Sequence, residues 1–301
     1  MAKLLVSVAL ITYKHEKYIH AAMKGILSQE GIENYEIVVG DDHSPDQTKE
    51  ILEEYAKSNP NMRFVNRPSN VGMHQNWLDT INTCEGKYIA LIEGDDLWTD
   101  PLKLKKQVAV LEADKFLSVC FTDAAVINEM NDGVEYGTYL KHQDIDLNKT
   151  RFTSEDLCNQ NFISTVSVMI RNRQEWKVSK EYHESPYVDW IILMLAALEG
   201  DLTFLPVVTC SYRIHPTGAF GYSEYELRKR NMIKVLSALY FNVPIGLEQT
   251  KILERYLLAI EEYAQHLKSV AGFSTFRFYK LKSVRKLAEV IKRPIFSKLI
   301  R

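Results

Sequence analysis

Tyr88-Ile89-Ala90-Leu91-Ile92-Glu93-Gly94-Asp95-Asp96 is the stretch on which the fold turns. Five apolar or aromatic residues in succession read as a strand buried on both faces. That strand runs without a break into three carboxylates within four residues. Working back towards the N-terminus, Asn70-Val71-Gly72 reads as a turn before a helix through Trp77, Leu78 and Ile81, and Met62-Arg63-Phe64-Val65 as a short strand. Before these, Glu36-Ile37-Val38-Val39 is a strand that ends at Gly40-Asp41-Asp42. Ser44-Pro45-Asp46-Gln47 then carries the marks of a helix start, with Ser44 as N-cap, Pro45 in the first turn and Gln47 closing a capping box. Leu4 to Ile11 is the first strand, and Tyr18 to Gln29 a helix with Ile19, Met23, Ile26 and Leu27 on one face. Beyond the acids, Asp100-Pro101 caps a helix up to about Ala113.

The order βαβαβαβα predicts a doubly wound, Rossmann-like, mostly parallel central sheet flanked by helices. In such sheets ligands bind outside the carboxyl ends of the strands. Thr12 and Tyr13, Asp41 and Asp42, and Glu93 to Asp96 all fall at those ends. Clustered carboxylates at the end of a buried strand repel one another and lose solvation, and a divalent cation offsets both penalties. Hard oxygen donors suit Mg2+ or Mn2+, particularly where a diphosphate completes the shell. The alternative is a solvated acidic turn that caps the following helix.

The second half changes rhythm. Val119 to Ile127 and Phe162 to Arg171 read as strands, Trp190 to Leu198 as an almost wholly apolar helix stopped at Gly200, and Thr203 to Ile214 as a last strand. Asp189 stands at the start of the apolar helix, where the dipole favours its ionised form; a plain N-cap is the alternative. From Glu224 the pattern is helical. The reading therefore divides the chain into residues 1–220, a catalytic sheet domain, and 221–301, a helical C-terminal region.

Composition narrows the class. No apolar run approaches the roughly 18 residues of a membrane span. The short run Leu4 to Ile11 is followed at once by Tyr13-Lys14-His15-Glu16, so a cleaved leader is not expected and a cytoplasmic location is. Cys84, Cys120, Cys158 and Cys210 are scattered without metal or redox spacing, and buried free thiols are expected. The net charge of −2 is uneven: residues 273–301 carry nine basic side chains and one acid, Glu289, so this segment is +8 and the remaining body −10. An acidic body argues against nucleic acid as a partner. In the tail, Val284, Leu287, Ala288 and Ile291 recur at helical spacing among basic residues, which fits peripheral attachment to an anionic membrane surface. An ordinary helix covered by protein, in this chain or in a second copy of it, fits the same pattern.

A series of motifs, in order along the chain, resembles family 2 glycosyltransferases. Val6 to Ile19 resembles the opening strand and nucleotide-binding turn, Val38-Val39-Gly40-Asp41-Asp42-His43-Ser44 the second strand and base-binding acid, and Asn70-Val71-Gly72 the NxG turn. Gly86 to Trp98 resembles the strand and DxD motif, with glutamate rather than aspartate first. Val188-Asp189-Trp190 and Tyr212-Arg213-Ile214-His215 resemble the catalytic-acid segment and the strand that closes the site.

The resemblance covers residues 4–220 and implies a GT-A fold and an inverting, metal-dependent, hexosyltransferase-type enzyme. It places Thr12, Tyr13, Asp42, Asn70 and Asp95 around the nucleotide, Asp42 accepting from the base. Asp96, Glu93 and His215 become metal ligands, Asp189 the general base, and Trp98 and Trp190 sugar-stacking candidates. The donor implied is a nucleotide-diphosphate sugar, most simply a UDP-sugar, and the acceptor a saccharide or lipid-linked saccharide in cell-surface polysaccharide or glycolipid assembly. The QxxRW motif of processive synthases is absent after His215, which favours addition of one or a few residues. A nucleotidyltransferase, or an inactive sugar-nucleotide-binding subunit, is the rival; the first usually needs a Gly-rich basic loop where this chain has Ile11-Thr12-Tyr13-Lys14-His15.

Overall fold

A computed structural model describes residues 4–130, 137–172, 187–218, 225–243 and 246–271. The expected tail helix within 273–301 lies outside the described residues, as does the expected boundary between residues 220 and 221. The strands are β1 (Val6–Thr12), β2 (Tyr35–Asp41), β3 (Met62–Phe64), β4 (Tyr88–Glu93), β5 (Leu97–Trp98), β6 (Leu117–Asn128), β7 (Arg151–Phe152), β8 (Val168–Arg171) and β9 (Asp201–Ile214). The helices are α1 (Ile19–Leu27), α2 (Thr48–Ser58), α3 (Met73–Thr83), α4 (Lys103–Ala113), α5 (Ser154–Leu157), α6 (Val188–Ala197), α7 (Tyr225–Asn242) and α8 (Leu247–Ala271).

The strands form one sheet in the order β3-β2-β1-β4-β8-β6-β9-β5, with β7 also paired to β9. The N-terminal half is parallel, as the βα alternation predicts: β1 lies between β2 and β4, and β3 pairs with β2. The other half is mixed. β8 runs antiparallel to both β4 and β6, β9 is parallel to β6, and β5 and β7 are antiparallel to β9. All seven residues of β1 are buried, consistent with a central strand covered on both faces. α1 turns Ile19, Ala22, Met23 and Ile26 into the core. It approaches β5 so closely that a Cβ on Gly25 would sit 2.5 Å from the Trp98 carbonyl oxygen.

Three local expectations shift. α2 begins at Thr48 rather than Ser44, because the Ser44 hydroxyl donates to Asp41 Oδ1 (2.5 Å) and its backbone N–H to Asp41 Oδ2 (3.1 Å), so it serves the preceding turn. The stretch from Phe162 to Arg171 is strand only from Val168, preceded by a 3-10 turn at Thr165–Ser167. α4 begins at Lys103, with Asp100 Oδ1 accepting from the Leu102 N–H (2.8 Å). The four cysteines are free and buried.

The described chain divides into two compact units. The first contains the sheet with α1 to α4 and α6. The second contains Glu155–Gln160, α7 and α8, with Lys229 paired to Glu262 (2.5 Å) and Arg255 Nε donating to the Asn159 carbonyl (3.2 Å). No described helix is long and apolar enough to cross a membrane.

Candidate active site

The ends of β1, β2, β4 and β9 and the start of α6 supply the functional groups, all within the first unit. At the end of β4, Glu93, Asp95 and Asp96 each offer a carboxylate oxygen within 4.8 Å of the others. Burial raises the Glu93 carboxyl well above the ordinary range, and the charges of Asp95 and Asp189 add to it. The same causes act on Asp96: burial first, then Asp95 and Glu93. Asp96 is 2% exposed. Its Oδ1 accepts the Arg213 backbone N–H (2.8 Å), while its Oδ2 is buried without a partner among the described residues. An orphaned carboxylate oxygen beside two further carboxylates fits a hard divalent cation.

Asp95 behaves differently. Burial pushes its carboxyl up, but a hydrogen bond with His215 and the proximity of His15 and His215 bring it below the usual range. His215 Nε2 lies 3.0 Å and His15 Nε2 3.6 Å from Asp95 Oδ2. His215, expected as a metal ligand, has its other nitrogen 2.9 Å from Thr217 Oγ1. Both ring nitrogens thus have partners, and through Nε2 the ring holds the Asp95 carboxylate of the cluster. Arg213 fixes the same pair from β9: besides the backbone N–H given to Asp96, its Nε donates to the Asp95 carbonyl (2.8 Å). Its guanidinium is held in turn by Glu129 (2.6 Å) and lies 4.8 Å from the Tyr18 ring centroid.

Thr12 and Tyr13 follow β1. Tyr13 is 38% exposed, available to a flat ligand, whereas Thr12 Oγ1 is buried and without a partner. A Cβ on Gly94 would lie 2.6 Å from Thr12 Oγ1 and 2.9 Å from His15 Nδ1, so the loop after β4 and the loop after β1 meet at a position only glycine fits. The β1 loop is also stitched to the loop after β2 and to the first residue of α2. The backbone N–H groups of Lys14, His15 and Glu16 donate to Ser44 Oγ (3.1 Å), Thr48 Oγ1 (2.9 Å) and Asp46 Oδ2 (3.2 Å). Lys14 and His43 both adopt left-handed backbone, with φ of 60° and 59°.

Asp42, expected to accept from a base, uses its two carboxylate oxygens to grip the N–H groups of Val71 (2.8 Å) and Gly72 (2.9 Å). Asn70 Nδ2 returns a bond to the Asp42 carbonyl (3.0 Å). These residues form a latch that sets the turn at Asn70-Val71-Gly72. Trp98 and Trp190 are corrections. At 3% and 1% exposure neither offers a face to a sugar. Trp98 donates its indole N–H to the Val166 carbonyl (3.1 Å) and belongs to the core.

Asp189 lies in the first turn of α6, near enough for its charge to act on Glu93. Burial pushes its carboxyl up to about 6, against hydrogen bonds from the backbone of Trp190 and of Asp189 itself and from Asn161. A carboxylate tuned towards neutrality beside a metal-fitting cluster is able to take a proton. His15, Arg213 and Asn161 were not among the residues expected to work the site. Arg213 and His15 lie inside quoted motifs, but their spacing alone does not reveal their partners.

The sequence model described as Glycosyl transferase family 2 matches residues 7–172. An uncharacterized protein of Mycobacterium tuberculosis is 35% identical over 77% of this chain and 67% of its own. Among solved structures, S. aureus TarS in complex with UDP superposes with a TM-score of 0.60 at 18% identity, over 93% of this chain and 75% of that one. A mannosyltransferase from Pyrobaculum calidifontis in complex with GDP-Man and Mn2+ gives 0.57 at 15%, over 99% and 83%. The fold is GT-A, and the chain belongs to glycosyl transferase family 2.

Proposed function

We propose that this protein is an inverting transferase that moves a sugar from a nucleotide-diphosphate sugar, most simply a UDP-sugar, to an acceptor hydroxyl. The observation that carries the reading is Asp189, a buried carboxylate raised to about 6 beside the acidic cluster. UDP bound to TarS, and GDP-Man with Mn2+ bound to the Pyrobaculum enzyme, support a nucleotide-sugar donor and a divalent metal.

Glu93, Asp95 and Asp96 would hold Mn2+ or Mg2+, which when bound neutralises charge on a leaving diphosphate. The roles of the chain's own residues follow from their positions. Tyr13 and Thr12 bind the nucleoside, with the Asp42–Asn70 latch shaping the rim. His15, His215 and Arg213 keep Asp95 and Asp96 in place without lending a ligand atom. The acceptor oxygen forms its bond to the anomeric carbon as the bond to the diphosphate oxygen breaks, and Asp189 takes the acceptor's proton. A saccharide or lipid-linked saccharide acceptor, in cell-surface polysaccharide or glycolipid assembly and at the inner membrane face, completes the proposal.

Thermal stabilisation by a panel of UDP- and GDP-sugars, with and without Mn2+, tests the donor class. The best donor then enters a turnover assay that detects released nucleoside diphosphate, with water or added saccharides as acceptor. Asp189→Asn is expected to keep donor binding and lose turnover by about 10²- to 10⁴-fold, the usual range for a general base. Near wild-type turnover of that variant, or stabilisation by none of the donors, overturns the reading.

A further inference from the structure

Asn161 sits in the loop before the 3-10 turn Thr165–Ser167, and its side chain is fixed from two directions. Its Oδ1 accepts the Ile163 backbone N–H (3.1 Å), which leaves the amide NH2 facing outward from that bond. The NH2 donates to Asp189 Oδ2 at 2.6 Å. The loop itself has little freedom. Phe162 and Ile163 are each 1% exposed, and the Phe162 ring contacts Phe152 (5.1 Å between centroids) and Phe121 (5.9 Å). The amide is thus held by its own backbone neighbour, and the neighbour is held by the core.

We infer that Asn161 is a positioning residue for Asp189: its amide holds Oδ2 and fixes the plane in which the carboxylate meets the acceptor proton. This inference rests on Asp189 being the base. The logic is that of any oriented base, in which a third group restricts the working side chain to the productive rotamer. The partner is an amide with a fixed donor rather than a carboxylic acid or a hydroxyl. It can therefore hold an ionised carboxylate without competing for the transferred proton.

The test is a double-mutant cycle on the full chain, with Mn2+ and the UDP- or GDP-sugar that stabilises it most. Four proteins are compared: wild type, Asn161→Ala, Asp189→Asn and the double variant. Each is measured for kcat of nucleoside diphosphate release, for KM, and for donor-induced thermal shift. Asn161→Ala is expected to lower kcat by about 10- to 100-fold, the range seen when the orienting partner of a working group is removed, with KM and thermal shift unchanged. In the Asp189→Asn background the same change is expected to cost less than about twofold, because nothing remains to be positioned. An equal factor in both backgrounds, a wild-type kcat in Asn161→Ala, or a loss confined to donor affinity overturns the assignment. If Asn161→Ala does not fold, Asn161→Gln keeps the amide but moves it by a methylene, and the same cycle is read with it. The Asp189→Asn single variant reports separately on the base. Near wild-type turnover there removes the base itself, whereas a deep loss there with additive Asn161 effects removes only the positioning role.

Discussion

Asp96→Asn is expected to make the metal-free protein more stable while destroying its response to metal. The substitution keeps an acceptor for the Arg213 N–H, which Asp96 Oδ1 now receives at 2.8 Å, and removes one charge from the cluster. The carboxylate oxygens of Glu93, Asp95 and Asp96 lie no more than 4.8 Å apart. Two unit charges at that separation repel by about 3 kcal/mol at an effective dielectric of about 20. Proton uptake by the raised carboxyls caps the penalty, so the expected gain is about 1–3 kcal/mol at neutral pH. That corresponds to about 2–10 °C in Tm for a unit of this size.

The sign with pH follows from the directions of the shifts. Burial and neighbouring charge raise the Glu93 and Asp96 carboxyls above their unfolded values, so the folded state holds more protons than the unfolded one. Stability then falls as pH climbs above the unfolded values. The gain from Asp96→Asn should vanish near about pH 3, where both states are protonated, and grow as pH rises towards neutral. Scanning calorimetry without metal, from acid to neutral pH, measures it. With Mn2+ and UDP the wild type should rise in Tm by mass action and the variant should not. A variant less stable than wild type in metal-free buffer at neutral pH, or a gain that does not change with pH, refutes the reasoning.

Three further outcomes are expected. With its carboxyl at about 6, Asp189 in the proposed role of base would work only above that value, so kcat should fall about tenfold per unit as pH drops below about 6; a pH-rate profile flat down to pH ~5 contradicts this. Asp42→Asn presents an amide NH2 to a turn that offers two N–H donors, and should cost about 1.5–3 kcal/mol by urea unfolding, with faster amide exchange at Val71 and Gly72. Gly94→Ala forces Thr12 and His15 aside at a cost of about 1–3 kcal/mol, and calorimetry should find nucleotide affinity reduced by more than that strain alone predicts for the fold.

The parallel half of the sheet was legible because each of its elements announces itself locally. Leu4 to Ile11, interrupted only by Ser7, and Tyr88 to Ile92 are apolar runs, and the intervening helix faces repeat at helical spacing. The antiparallel pairing of β8 with β4 and β6 was not, since pairing direction is set by chain connections rather than by the composition of Val168–Arg171. The acidic cluster and Asp189 stood out as candidates because their residue types carry the chemistry such a site would need. Trp98 misled because an indole beside acids looks the same whether it faces a sugar or the core. Here the Val166 carbonyl, 68 residues away, claims its N–H. Asn161 and His215 do their work across 28 and 120 residues of chain, and no local pattern encodes a contact at that distance.

The three backbone bonds from Lys14, His15 and Glu16 to the loop after β2 and the first residue of α2 bear on how fast a donor is captured. Loops that carry a binding face usually lose conformational freedom when the ligand arrives, and that loss slows capture and weakens affinity. Here the two loops are already joined into one stiff rim. The nucleoside should therefore meet a surface that needs no rearrangement, with association limited by diffusion and charge rather than by a closing step. Amide exchange at Lys14, His15 and Glu16 should be slow in the free protein and change little when nucleotide is added, although none of the three lies in a strand or a helix.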